Sequence, residues 1–408
     1  MNADDSDAQS LLNAQPPSRA AISVLLSVVF LDNLGYAIVF PYLYFYATSL
    51  GADALTYGLL ISAYSLMSFL FTPIIARFSD RYGRRRILLF ALLLSGLSYV
   101  IFGVANVLWL LFLGRMLAGT TAATVPVAQA YVADVTMAKQ RLKYLGLAGA
   151  AGGLAFITGQ AIGGTLSSFV GFAVPSFLAA ALAFANLVLA YFLLPEPRHS
   201  VGDPEKRGFT LANLREVLSG RVVRLLLAVY FMFFLSFVFL QTVVPQWLGS
   251  LFGFGSLETG YLFAYIGIVS VLTQVFVLPR LSSRVSHTTL ALYGVVLLGA
   301  GLLALGTLPS LLLLVFFGAL LAVGFAFLIT TLSTLISLRT PEETQGGSLG
   351  LAWSLAALAQ TVGPTLAASL FAFGLSAGFE GLAFVFAAVL TLLTIPLLIS
   401  LRKHEQPT

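Results

Sequence analysis

Residues 77–86 read RFSDRYGRRR: five arginines and one aspartate in ten positions, set between two almost wholly apolar stretches. Charged residues make up only 9% of the 408-residue chain, hydrophobic residues make up 59%, and mean hydropathy is +0.97. Soluble globular chains carry about 25% charged and roughly 45–50% apolar residues. A water-soluble core has no room for this much apolar surface. The apolar runs are long and continuous rather than alternating, which points to helices in a bilayer and away from a barrel. The arginine cluster is then a short excursion into water between two membrane crossings.

Working outward, a hydrocarbon core needs about 20 helical residues to cross. The sequence predicts spans near 22–48, 57–76, 87–105, 108–132, 144–168, 173–194, 223–249, 259–279, 288–307, 311–337, 347–373 and 381–401. Residues 195–222 form the only long polar interior stretch and split the chain into two six-helix bundles, 22–194 and 223–401, with tails at 1–21 and 402–408. Within that linker, Leu211, Leu214, Val217 and Leu218 share a helical face, as in a short interfacial helix; a plain tether is equally consistent. With the amino terminus in the cytoplasm, 20 of the 21 Lys and Arg residues fall in cytoplasmic segments, and Asp53, Glu258 and Glu380 fall outside. That is the positive-inside pattern. It places both termini in the cytoplasm and accounts for the net charge of +5 without nucleic acid.

Other chemistries are scarce. There is no cysteine, which fits a prokaryotic inner-membrane protein, and His199, His287 and His404 all lie in polar connections, so neither a metal nor a cofactor is expected. No G-x-x-x-x-G-K-[ST] signature marks ATP as a driver. The acidic amino terminus lacks the basic region of a signal peptide, so the first span is expected to be retained. A membrane enzyme would need clustered titratable groups in the spans, and a receptor a sizeable soluble domain; neither is visible.

The halves repeat. Pro41 pairs with Pro245 and Gly159 with Gly363 at an offset of 204, and RFSDRYG pairs with RLSSRVS (280–286) at 203. Three matches at nearly one offset point to a duplicated six-helix unit, as in transporters that bind substrate between repeats near the midplane. The second copy of the basic motif has lost its aspartate and glycine.

These motifs resemble the major facilitator superfamily, and within it the twelve-span drug:proton antiporters of the tetracycline-exporter type. Asp80, Arg81, Gly83, Arg84 and Arg85 match the family's G-x-L-a-D-R-x-G-R-R connection between spans two and three, with Ala76 and Phe78 departing from it. The resemblance implies a cytoplasmic latch that joins the halves in the outward-facing state, with Asp134 as its partner acid. Arg115 and Gly119 in LGRMLAG match the span-four motif. Gly149, Gly153, Gly159, Gly163 and Gly164 match the antiporter motif of span five, although Gln160 replaces its usual proline. TPEETQGGSLGLAWSLAALAQTVGP (340–364) is similar to the tetracycline-exporter pattern entering span eleven.

Two residues stand out against the apolar background. Asp32 is the one acid well inside a span, about 15 Å deep at 1.5 Å per residue, and Arg115 lies at similar depth. Each costs roughly 2.5–3.5 kcal/mol to insert on translocon scales. They form either the proton-coupling site or a structural Asp–Arg pair. Asn33, Tyr36, Pro126, Gln129, Gln241, Trp353 and Gln360 are candidate cavity liners, and Gln274 is a further in-span amide. Trp109 and Trp247 are placed as interfacial anchors, and most of FMFFLSFVFL (231–240) as lipid contact. The resemblance implies a monomeric, proton-coupled exporter of small amphipathic organic compounds. A superfamily transporter of sugars or other metabolites is the alternative that Gln160 keeps open.

Overall fold

A computed structural model describes residues 19–136, 138–196, 220–308, 310–340 and 342–402. The predicted linker helix, His199, His404 and most of both tails lie outside the described residues.

Among the described residues, twelve helices are long and apolar enough to cross a membrane: α1 (Ile22–Ser49), α2 (Ala54–Tyr82), α3 (Arg84–Val104), α4 (Leu108–Val132), α5 (Lys143–Val170), α6 (Ala173–Leu193), α7 (Arg221–Phe252), α8 (Ser256–Ser282), α9 (His287–Thr307), α10 (Leu313–Leu338), α11 (Gly347–Ser376) and α12 (Leu382–Leu401). They coincide with the predicted spans and differ mainly at their ends. In the first half α1 packs on α5 and α6, α3 on α6, and α2 on α4; in the second, α9 packs on α10 and α12, and α7 on α11. The halves meet along two seams, α2 with α11 and α5 with α8.

Small residues make the seams. A Cβ on Gly58 would lie 2.7 Å from the Pro364 carbonyl oxygen, and one on Gly164 would lie 2.5 Å from that of Ser256. Ser62 and Thr365 share a hydrogen bond of 2.9 Å across the first seam, and Ser167 donates to Ser256 at 2.8 Å across the second. All of these contacts lie toward the end bearing Asp53 and Glu258. Toward the arginine-rich end, Gly146 and Gly149 of α5 and Gly350 of α11 have no neighbour among the described residues within 4 Å of a would-be Cβ. The halves therefore touch at one end and diverge at the basic end.

The opening motif is less of a loop than its charge suggests. α2 runs on through Arg77, Asp80 and Arg81 to Tyr82, and Gly83 alone separates it from α3. Gly83 has φ +105°, a region open to glycine. A side chain there would also collide with the Glu196 carboxylate, which accepts the backbone N–H of Arg85 at 3.2 Å.

Two aromatic expectations fail. Trp247 is 1% exposed and packs edge-on against Phe252 and Phe384, so it belongs to the core rather than to an interface. Phe233, Phe234 and Phe239 are likewise buried in the second bundle rather than facing lipid. Helix α7 is apolar all round, and packing rather than composition decides which ring faces lipid. Trp109, by contrast, is 63% exposed.

Candidate functional site

Asp32 and Arg115 line one pocket of about 20 Å³, together with Tyr36, Tyr64, Ser95 and Tyr99. Glycines admit these groups. Gly35 leaves room for the Tyr99 ring against α1, and Gly119 brings α4 onto the backbone of Tyr64 in α2. Beside the pocket α4 breaks at 121–123, just before Pro126, whose missing N–H denies Ala122 its helical partner. Helix α1 also tightens to a 3₁₀ turn at Phe40–Tyr42 around Pro41. Interrupted helices near the midplane are a feature of transporter binding sites.

Arg115 is 2% exposed. Its guanidinium lies 4.5 Å from the Tyr64 ring centroid and 5.9 Å from that of Tyr36, and its Nε and Nη2 have no hydrogen-bond partner. No ion pair joins it to Asp32 among the described residues. Shared lining without a direct bond leaves the guanidinium held by ring faces and free to take an acceptor.

A second cavity, of about 280 Å³, lies at mid-depth against the other half. α5 contributes Gly153 and Phe156, α7 Phe237 and Gln241, α8 Phe263 and Gln274, and α10 Phe325. Helix α8 widens here to a π turn at Thr273–Val277, just before Pro279, and Gln274 Nε2 donates to Ser270 Oγ at 3.2 Å. π turns are frequent at functional sites.

Of the candidate liners, Tyr36 is in the first pocket and Gln241 in the second. Asn33 donates to the Val29 carbonyl at 2.8 Å and lies beside Gly152. Pro126, Gln129 and Gln360 line neither cavity, and Trp353, 56% exposed, stands edge-on to Tyr230 and Phe234. The sequence reading missed Tyr64, Tyr99, Phe156, Phe263 and Phe325. Mid-span tyrosines were an available signal for the first two; nothing distinguished the phenylalanines. In α5, Gly159 and Gly163 abut α1, Gly164 abuts α8, Gly149 is open, and Gly153 borders the larger cavity. Gln160 is fully buried with neither amide atom partnered.

At the basic end, Arg84 bridges Asp80 at 2.6 Å and Asp134 at 2.9 Å. Arg85 donates to the Tyr191 carbonyl at 2.5 Å, and Arg81 lies over the Tyr82 ring. All these partners belong to the first half.

The sequence model of the Major Facilitator Superfamily matches residues 25–364. The class C tetracycline resistance protein of Escherichia coli is 32% identical over 401 residues, covering 93% of this chain and 97% of that protein. Multidrug resistance protein 2 of Bacillus subtilis (strain 168) is 28% identical, covering 65% and 67% respectively. Among solved structures, a bacterial homolog of the human lysosomal transporter Spinster, inward-facing and unoccupied, aligns with a TM-score of 0.75 at 15% identity over 95% of this chain and 98% of that one.

Proposed function

Since the chain belongs to the Major Facilitator Superfamily, we propose that it is a proton-coupled exporter of amphipathic organic compounds that works by alternating access, with Asp32 as the group that carries the proton. The observation that supports this most directly is the shared pocket of Asp32 and the unpartnered Arg115 at mid-membrane. One proton on Asp32 changes the charge of that pocket by one unit beside a fixed cation. Such a change is felt strongly where water is scarce. A purely structural pair would be expected to meet in a direct bond, since an unpaired buried charge is costly.

The positive-inside pattern assigns the basic end to the cytoplasm. The conformation is then inward-facing, closed at the outer ends of α2, α11, α5 and α8. Among the described residues the Asp80–Arg84–Asp134 cluster has no partner from the second half, as expected of a latch released in the inward-facing state. Export closes the basic end, and the arginines of α2 and α3 then meet α11. The named drug-resistance relatives favour drugs as cargo. A sugar would need many polar partners, and the larger cavity is mostly apolar.

The test uses the full-length protein in proteoliposomes under an imposed pH gradient, with tetracycline heading a drug panel. Wild type is expected to concentrate at least one compound, and Asp32→Asn to lose gradient-driven accumulation by on the order of 100-fold. Undiminished accumulation by Asp32→Asn would remove Asp32 from coupling.

A further inference from the structure

Resting on the exporter reading above, we propose that the substrate site is the larger cavity, between α5 and the second half and separate from the proton pocket, and that it takes compact, uncharged aromatic compounds whose polar group meets Gln241 and Gln274. The two cavities share no lining residue. Between them runs a file of rings. Tyr64 and Tyr36 have centroids 5.3 Å apart, Tyr36 and Phe40 6.1 Å, and Phe40 and Phe263 5.5 Å. Tyr36 belongs to the first lining and Phe263 to the second. A compound in the larger cavity therefore meets Phe263 at one end of the file and reaches the wall of the proton pocket only through Phe40, two ring contacts away.

The lining itself sets the class of ligand. Among the described residues it contains no Asp, Glu, Lys, Arg or His. A cation placed there would meet phenyl faces but no counter-charge; ring faces repay about 2 kcal/mol, less than the several kcal/mol that burying an ion costs. Phe237 and Phe325 stack with centroids 4.2 Å apart at 30°, and Phe156 and Phe263 add further ring surface. Flat apolar groups fit such walls by offset or edge-on contact. The polar groups come from Gln241 on α7 and Gln274 on the widened turn of α8. An amide both donates and accepts, so a carboxamide, phenol or ketone finds a complement. The volume of about 280 Å³ is near the lower end of small-molecule sites, about 300–1,000 Å³, which selects compact compounds.

Charge balance follows. If one proton enters on Asp32 for each uncharged molecule that leaves, one net positive charge crosses inward per cycle. Membrane potential then drives export as well as the pH gradient, at about 2.3 kcal/mol per charge per 100 mV. A monovalent cation exchanged for one proton would move no net charge.

The probes are radiolabelled biphenyl-4-carboxamide and its cationic counterpart, biphenyl-4-ylmethyl-trimethylammonium, each tested up to 1 mM on the purified full-length protein. Gly153→Leu fills the cavity; its Cβ would first meet Val271 Cγ2 at 3.9 Å, leaving room for the backbone to stay in place. Gln241→Leu removes one amide at similar volume and guards against misfolding of the first variant. The carboxamide is expected to bind wild type and Asp32→Asn alike, to bind both cavity variants at least tenfold more weakly, and to exceed the cation by at least tenfold. In proteoliposomes at zero pH gradient, a potential set with potassium and valinomycin should drive the carboxamide in wild type but not in Asp32→Asn, which keeps substrate counterflow. Wild-type binding by both cavity variants, equal binding of the cation, or no carboxamide binding at 1 mM would each overturn the inference while leaving the role of Asp32 intact. If Asp32→Asn keeps gradient-driven transport and the cavity variants lose binding, the proton assignment falls and the cavity stands.

Discussion

At mid-depth the first half encloses Asp32, Arg115 and three tyrosines in a space of about 20 Å³, whereas the cavity against the second half offers about 280 Å³ lined by phenyl rings and two glutamines. The same contrast recurs at the basic ends of the duplicated helices. In the first half Arg84 bridges two carboxylates from α2 and α4. In the second, the aspartate has become Ser283, and Arg280 donates to the carbonyl of Phe276 within the π turn. A duplicated unit has thus kept charge in one copy and turned the other toward shape. On the function proposed above, the charge is the group that a proton gradient addresses, and the uncharged copy is the cavity whose occupant is chosen by fit.

The largest effect expected from that division separates stability from transport. Buried ionic groups replaced by apolar ones of similar size often leave stability neutral or raise it by about 1–4 kcal/mol. The double variant Asp32→Val/Arg115→Met should therefore melt no lower than wild type in detergent, while gradient-driven transport falls to background. Arg115→Met alone leaves Asp32 without its neighbouring cation, and its transport should respond to pH over a different range from wild type. Transport by the double variant at wild-type rate would show that the charged half is scaffold, and the comparison would break.

Next in size is a matched pair of glycines. Gly159 and its repeat partner Gly363 both sit against a neighbouring helix, but the obstacles differ. A Cβ on Gly159 would lie 2.5 Å from the Ala37 Cβ and 3.0 Å from the Leu34 carbonyl oxygen, atoms fixed to the α1 backbone. On Gly363 it would meet Val238 Cγ1 at 2.9 Å and Leu235 Cδ1 at 3.1 Å, both side-chain ends. Overpacking costs typically about 1–3 kcal/mol. Gly159→Ala should fall in the upper part of that range and Gly363→Ala nearer its lower end, because Leu235 can turn aside while buried, β-branched Val238, whose Cβ also lies at 3.3 Å, yields only slightly. Thermal melts of the two purified variants decide it; equal losses would mean that the α1–α5 contact is no more rigid than its copy.

Why some of this was legible in the sequence, and some not, follows from the solvent. Twelve crossings are written in run length alone, and Asp32 and Arg115 are visible because ionisable groups inside a span are costly and rare. The helical course of Arg77–Tyr82 was hidden because hydropathy reports leaving the bilayer, not leaving the helix. The phenylalanine lining was hidden for a deeper reason. Amphipathic period reveals the facing side of a helix in water, but in lipid the outer face is as apolar as the inner one. Trp247 and the rings of 231–240 were misplaced on the same account. Gln241 and Gln274 remained readable as amides, though not as a pair, since nothing in their spacing along the chain places α7 beside α8.

The smallest effect lies at the ends opposite the arginine-rich motif, where α2 and its repeat partner α8 begin. Exposed Asp53 caps α2 by accepting the Thr56 N–H at 2.8 Å, and its bonds to Thr56 hold its carboxyl below the usual range. In α8 the N-cap is Gly255, whose own N–H instead donates to Glu258 Oε2 at 2.9 Å. Loss of an N-cap costs about 0.5–2 kcal/mol, and exposure puts Asp53→Ala toward the lower end. Because the folded carboxyl has the lower pKa, its stabilisation is fully present above the unfolded value of about 3.9 and fades as pH falls through the folded one. The melting difference between wild type and Asp53→Ala should therefore be constant from pH 7 to 5 and close below about pH 4. Asp53→Asn keeps an acceptor and should stay near wild type with little pH dependence. Glu258→Ala should cost no more than Asp53→Ala, since it removes one bond to one backbone N–H. A deficit in Asp53→Ala that persists unchanged at pH 3 would mean that the carboxylate is not what caps α2, and the charged half would lose its outermost example.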